Sequence, residues 1–278
     1  MDNYELPIDK KYFMAGSNSL DIRFSGSIST LLNRLKSYNH NSNSKLNQNY
    51  QTSQFILNVP RVLRGLLEAK IEYSNSEDLS DCIETCTNLL VDMYKNPSST
   101  PTLVNNLESY LENNLPNNLF ENILNYNFEQ PSAPTTISFS NPKYTKKNSK
   151  LLSQMLNNQD ILLLPLAFGG LLAGIDTFLQ YTINECKNNT NSKIYPVKYS
   201  IHKGYDNKPN LSELECNKLK NFSKGRKVVI FDEDSNSGRT LDLAKKYFSE
   251  TLELDDILVY GNYPYNDRHN LAKLIKTY

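Results

Sequence analysis

A surplus of either charge is missing from this chain: 30 Lys and Arg balance 30 Asp and Glu over 278 residues, for a formal net charge of zero. Neutrality does not argue for a general nucleic-acid binder, whose hold on backbone phosphates draws on a basic surplus, although a local patch is compatible with it. Cysteine is scarce at 4 residues and histidine scarcer at 3. Cys82 and Cys86 share one helix face at i,i+4 spacing, Cys186 and Cys216 stand apart, and His40, His202 and His269 lack ligand spacing. Core packing accounts for the cysteine pair, and neither a structural nor a catalytic zinc is expected. No secretory apolar stretch opens the chain, so reduced thiols and a cytoplasmic location are the expectation. The apolar run from Ile161 to Gly174 is cut by Pro165 and by Gly169-Gly170, and Asp176 and Gln180 follow before the about 20 residues of a membrane span are reached. A membrane partner is therefore not expected.

What is present divides in two. Residues 1–147 read as mostly helical, with apolar positions at i, i+3 and i+4 over 54–73 and 77–94. Thr100-Pro101 opens a further helix through Glu112, and a short one is expected near 118–124. The Asn- and Ser-rich stretch 38–50 reads as an exposed loop, and 129–147, with three prolines, as the connection to a second domain. Over 148–278 strands at about 160–167, 194–200, 226–232 and 256–262 alternate with helices at about 148–157, 170–186, 211–222, 239–250 and 267–276. Such alternation marks parallel βαβ units, so the second domain is expected to be α/β, with a sheet of four or five strands.

The segment Lys227 to Leu241 is the most informative. Val228 to Phe231 is β-branched and aromatic, which suits a buried parallel strand, and Asp232 and Glu233 stand at its carboxyl end. Ser235, Asn236, Ser237, Gly238, Arg239 and Thr240 then form a small, hydroxyl-rich turn that opens a helix. In open α/β sheets ligands bind outside the carboxyl ends of strands, and a turn before a helix aims backbone N–H groups at one point. An anion such as a 5′-phosphate fits that point, while the carboxylates suit ribose hydroxyls or a phosphate-bound Mg²⁺.

Asp232-Glu233-x-x-x-Ser237-Gly238-x-Thr240 resembles, without a gap, the phosphoribosyl pyrophosphate (PRPP) signature of type I phosphoribosyltransferases. Ile161 to Gly174 is similar to that family's first core strand and pyrophosphate loop, with Gly169 and Gly170 lacking Cβ atoms so that strained angles and close approach to a ligand are open to them. Tyr195 to Asp206 resembles the next strand and its mobile loop, with Lys198, His202 and Lys203 at the basic positions. The resemblance covers about 158–262 and implies a type I phosphoribosyltransferase-like core. It departs from the family at Phe168, where many members carry a basic residue, and at Asn236, where purine-salvage relatives place an acid.

The resemblance implies a Mg²⁺-dependent transferase with PRPP as donor and a nitrogen nucleophile, such as a nucleobase, as acceptor. Asp232 and Glu233 then serve the ribose hydroxyls and, indirectly, the metal; Ser235 to Thr240 serve the 5′-phosphate; Gly169, Gly170, Lys198, His202 and Lys203 serve the pyrophosphate. The alternative is a PRPP- or nucleotide-binding sensor that transfers nothing, with the N-terminal helices as effector or oligomerisation surface, and a homodimer is compatible with either. The acceptor is not legible, because no motif in the N-terminal region reads a base.

Overall fold

The computed structural model describes residues 4–6, 23–38, 45–73, 79–130, 140–167, 169–187, 190–199, 208–232 and 238–262, with side chains omitted for 45–53. The chain divides into two compact units, Leu6–Pro134 and Met1–Glu5 with Thr135–Tyr278.

In the first unit a two-stranded antiparallel ribbon joins β1 (Phe24–Ser27) to β2 (Asn127–Gln130). Between them lie α1 (Ile28–Lys36), α2 (Lys45–Glu72), α3 (Ser80–Lys95), α4 (Thr100–Asn114) and α5 (Asn117–Leu124). Ser27 caps α1 by accepting from Thr30 N–H, and Ile28, Leu31, Leu32 and Leu35 bury one face of that helix. Tyr94 of α3 donates its hydroxyl to the Ile56 carbonyl of α2 at 2.7 Å. Three expectations are corrected here. The stretch expected as a loop over 38–50 becomes helix from Lys45; the ribbon and α1 were not expected; and the stretch expected as a connection over 129–147 begins inside β2.

That stretch also ends inside a helix. Asn141 accepts from Lys143 N–H and Pro142 takes the first turn, so α6 runs over Pro142–Leu156. Proline in the first turn of a helix costs no hydrogen bond, and here it starts an element. The boundary expected at 147 therefore falls within α6, which belongs wholly to the second unit.

That unit is α/β. After α6 come β3 (Ile161–Ala167), α7 (Gly170–Leu179) continued by a π-helical turn over Gln180–Glu185, β4 (Lys193–Ile194), β5 (Val197–Lys198), α8 (Glu213–Ser223), β6 (Lys227–Asp232), α9 (Arg239–Leu252) and β7 (Leu258–Gly261). The helix expected over 267–276 lies outside the described residues. Every described pairing in this sheet is parallel: β4 and β5 both lie against β3, β3 pairs on its other side with β6, and β6 with β7.

The second strand is split at Tyr195 and Pro196 because of the central one. Tyr195 N–H reaches the Leu163 carbonyl at 2.9 Å, and the next donor in a parallel ladder would come from position 165, which is proline. All seven residues of β3 are buried, as are Val228 to Phe231. α7 packs closely on the sheet because Gly174 has no Cβ, which would stand 2.7 Å from Pro165 Cβ. Phe231 and Tyr260 stack with ring centroids 6.3 Å apart, joining β6 to β7.

Candidate functional site

Strand order decides where a ligand meets this sheet. From β3 the chain crosses by α7 to β4 and β5 on one side, whereas from β6 it crosses by α9 to β7 on the other. Right-handed crossovers in opposite directions put their helices on opposite faces, and in such sheets the ligand crevice lies between the carboxyl ends at the switch point, here those of β3 and β6. Pro165 is paired with Phe231, so Ala167 and Asp232 end on either side of that crevice. Lys198 pairs with Ala167 on the far side of β3, and Asp232 pairs with Gly261.

Both helices beside the crevice begin at glycine. Gly169 precedes α7 and Gly238 precedes α9, and among the described residues no side chain caps either helix, whereas Asn141 and Ser212 cap α6 and α8. Uncapped first-turn N–H groups and the positive end of the helix dipole suit an anion. Gly238 has φ 69° and ψ −6°, a left-handed conformation in which a Cβ is strained, and it turns the chain into α9. Gly169 differs from expectation. At φ −66° and ψ −46° it is ordinary right-handed helix, so its backbone uses no freedom peculiar to glycine.

Among the remaining candidates, Gly170 and Thr240 are buried, Asp232 and Lys198 are half-buried, and Arg239 is exposed. Glu233, Ser235, Asn236, Ser237, His202 and Lys203, with Phe168, lie outside the described residues. The structure thus brings together the two glycine turns, Asp232 and the strand end carrying Lys198, in one edge of one sheet. The loop after Lys198 is tied at its base: Tyr199 N–H donates to Ala167 at 3.3 Å and Asn210 N–H to the Lys198 carbonyl at 3.1 Å. Tyr195, just before β5, donates its hydroxyl to Glu215 at 2.6 Å, and Glu215 forms a reciprocal capping box with Ser212. The same carboxylate therefore starts α8 and holds the strand that presents Lys198.

Two polar features here were not legible in the sequence. Asn262, just past β7, donates its backbone N–H to the Asp232 carbonyl at 3.0 Å, and its side chain accepts from Asn148 of α6 at 2.5 Å. Both asparagines are fully buried, and they tie the backbone of Asp232 to a helix that precedes the sheet. Their separation by 114 residues leaves no local pattern. Asp176 of α7, noted in the sequence only as an interruption of an apolar run, is buried against α6, where Thr145 donates to its carboxylate. Burial raises its pKa to about 6, and the hydrogen bond from Thr145 offsets part of the rise. Tyr4 is held there by a double hydrogen bond, its N–H and carbonyl both meeting the Asn184 side chain at 2.8 Å.

Among the described residues no three His, Cys, Asp or Glu side chains gather as a metal site, and no helix is long and apolar enough to cross a membrane. No protein-family model matches the chain, and no significant match is found among curated proteins or among solved structures.

Proposed function

We propose that the α/β unit has a type I phosphoribosyltransferase-like core and transfers a phosphoribosyl group from PRPP to a nitrogen nucleophile. The observation that carries this reading is the switch in strand order between β3 and β6, flanked by two glycine-started helices and by Asp232. A dianionic 5′-phosphate suits the turn at Gly238, Arg239 and Thr240, with Ser235, Asn236 and Ser237 completing it by sequence. Pyrophosphate suits the N-terminus of α7 at Gly169 and Gly170, beside the strand end at Lys198, which His202 and Lys203 follow in sequence. Asp232 and Glu233 accept hydrogen bonds from the ribose hydroxyls.

In the proposed reaction the acceptor nitrogen bonds to ribose C1, the bond from C1 to the pyrophosphate oxygen breaks, and the acceptor's proton is lost. Positive charge develops on the ribose and negative charge on the leaving group. The chain's task is to align the two and to meet the negative charge with N–H groups and cations. Mg²⁺ fits this donor set: a phosphate-borne magnesium needs only one or two carboxylates from protein, and half-buried Asp232 at the strand end supplies one beside Glu233. Bound there, the ion would neutralise charge on the departing pyrophosphate.

A second reading, a PRPP- or nucleotide-binding sensor without turnover, is favoured by Phe168 and Asn236. Asparagine hydrogen-bonds but does not act as a general base at neutral pH, so purine salvage assisted from that position is disfavoured under either reading.

The test is incubation with labelled PRPP, Mg²⁺ and a pool of bases and small nitrogen metabolites, following pyrophosphate release, beside calorimetry of PRPP binding. Asp232→Asn is expected to weaken binding about tenfold to hundredfold, the worth of one charge-assisted hydrogen bond. Unchanged affinity in a variant of unchanged thermal stability would remove the reading.

A further inference from the structure

Lys198 stands on a thinly laddered strand. β4 and β5 have two residues each, and Pro165, near the middle of β3, has no N–H to offer them. The bond that follows Lys198, from Tyr199 N–H to the Ala167 carbonyl, is long at 3.3 Å, against about 2.9–3.0 Å for an ordinary one. Misplacing a group that meets developing charge by about 1 Å can cost on the order of a hundredfold in rate. A strand end with that task needs support from outside its own ladder.

The start of α8 supplies it. Tyr195, fully buried and three residues before Lys198, donates its hydroxyl to Glu215 Oε1 at 2.6 Å, and its ring meets Phe222 edge-on at 6.5 Å between centroids. Glu215 is fully buried too, and its Oε2 accepts from Ser212 N–H at 2.8 Å. Asn210, two residues before Ser212, donates its N–H to the Lys198 carbonyl at 3.1 Å. A circuit is thereby closed: from Lys198 to Asn210, along the chain to Ser212, across to Glu215, and back through Tyr195. A capping box needs one side-chain oxygen at the position of Glu215, and glutamine serves it as well. The second oxygen of Glu215 serves the strand.

We propose that Tyr195 and Glu215 are positioning residues for phosphoribosyl transfer: they fix the backbone at Lys198 so that its ammonium group meets the pyrophosphate oxygen as the bond to ribose C1 breaks. The proposal rests on the PRPP reading and adds to it the residues that act through Lys198. Both side chains are buried away from solvent, so neither exchanges a proton with the ligand or touches it. Their effect falls on the step in which charge builds on the leaving group, and much less on binding, which the turn at Gly238 dominates.

The test uses Tyr195→Phe, which keeps the ring against Phe222 and removes only the hydroxyl, beside Ser212→Ala, which weakens the cap of α8 and leaves the bond from Tyr195 to Glu215 in place. Each is made alone and together with Lys198→Ala. Amide exchange at Tyr199 and Asn210 is followed by NMR, PRPP affinity by calorimetry and pyrophosphate release in a single turnover with Mg²⁺. Tyr195→Phe is expected to speed exchange at both amides and to slow release roughly tenfold, the worth of one hydrogen bond, with affinity changed less than about threefold. Ser212→Ala is expected to lower thermal stability without slowing release, and Tyr195→Phe to add nothing once Lys198 is alanine. Unchanged exchange and release in Tyr195→Phe overturn the proposal and leave the PRPP reading standing. An equal further loss in the absence of Lys198 overturns it too, because the hydroxyl would then act on the fold at large. PRPP binding without release by wild type overturns it while keeping the ligand, and wild type that binds no PRPP removes both readings.

Discussion

Gly238 is the residue on which the proposed phosphate turn depends most. At φ 69° any side chain is strained, and a β-branched one more so, because the left-handed region costs L-residues roughly 1–2 kcal/mol. Gly238→Val is therefore expected to abolish binding of ribose 5-phosphate and PRPP while circular dichroism shows the helical unit unchanged. Thr240→Val keeps the shape of a buried position and removes one hydroxyl, so calorimetry should show a smaller loss. Equal effects, or none, would mean that this turn holds no phosphate. Gly238 was legible because an acid pair, a small turn and a helix start are local features. Asn148 with Asn262, and Gly174 against Pro165, were not, since each is a contact between residues distant or unremarkable in sequence whose chemistry appears only after the sheet has formed.

At the scale of elements, β3 and β6 were legible because buried parallel strands read as unbroken apolar runs, whereas the strand expected over 194–200 is two short pieces. The start of α6 was not, because proline was weighed as a breaker where Asn141-Pro142 is a cap and first turn. β1 and β2, at four residues each, pair across most of a domain and are too short for alternation to mark them. The interface of α6 with α7 makes a measurable prediction through Asp176. Its pKa is raised from 3.8 to about 6, so between those values the unfolded chain releases the proton first and the native state binds more. The contribution is fully present below about pH 4 and is lost as pH rises through about 6, with a span of about 3 kcal/mol at about 1.4 kcal/mol per pKa unit. Urea unfolding at pH 4 and pH 7.5 should show Asp176→Asn gaining relative to wild type as pH rises. A constant difference between the two proteins would mean that the carboxyl is not held protonated by burial.

At the scale of the molecule, the division into two units left the helical one without a readable task, and the difference between enzyme and sensor must come from turnover. Lys198, on the strand end fixed through Tyr195 and Glu215, decides it. A transferase grips its leaving group more strongly as charge builds, so Lys198→Ala should lower single-turnover pyrophosphate release more than PRPP affinity. Tight binding with no release against any acceptor favours the sensor, and release undiminished in the variant removes Lys198 from the chemistry. The split second strand has a consequence of another kind. Among the described residues β4 and β5 have β3 as their one neighbour, so they form an outer margin of the sheet. Tyr195 N–H turns inward to Leu163, and by the alternation of a parallel ladder the nitrogen of Pro196 faces outward. An imino nitrogen offers no hydrogen there, so a strand from a second molecule aligning on this margin would find no donor at its middle. The Pro196 ring thereby works against fibre-like growth by sheet addition.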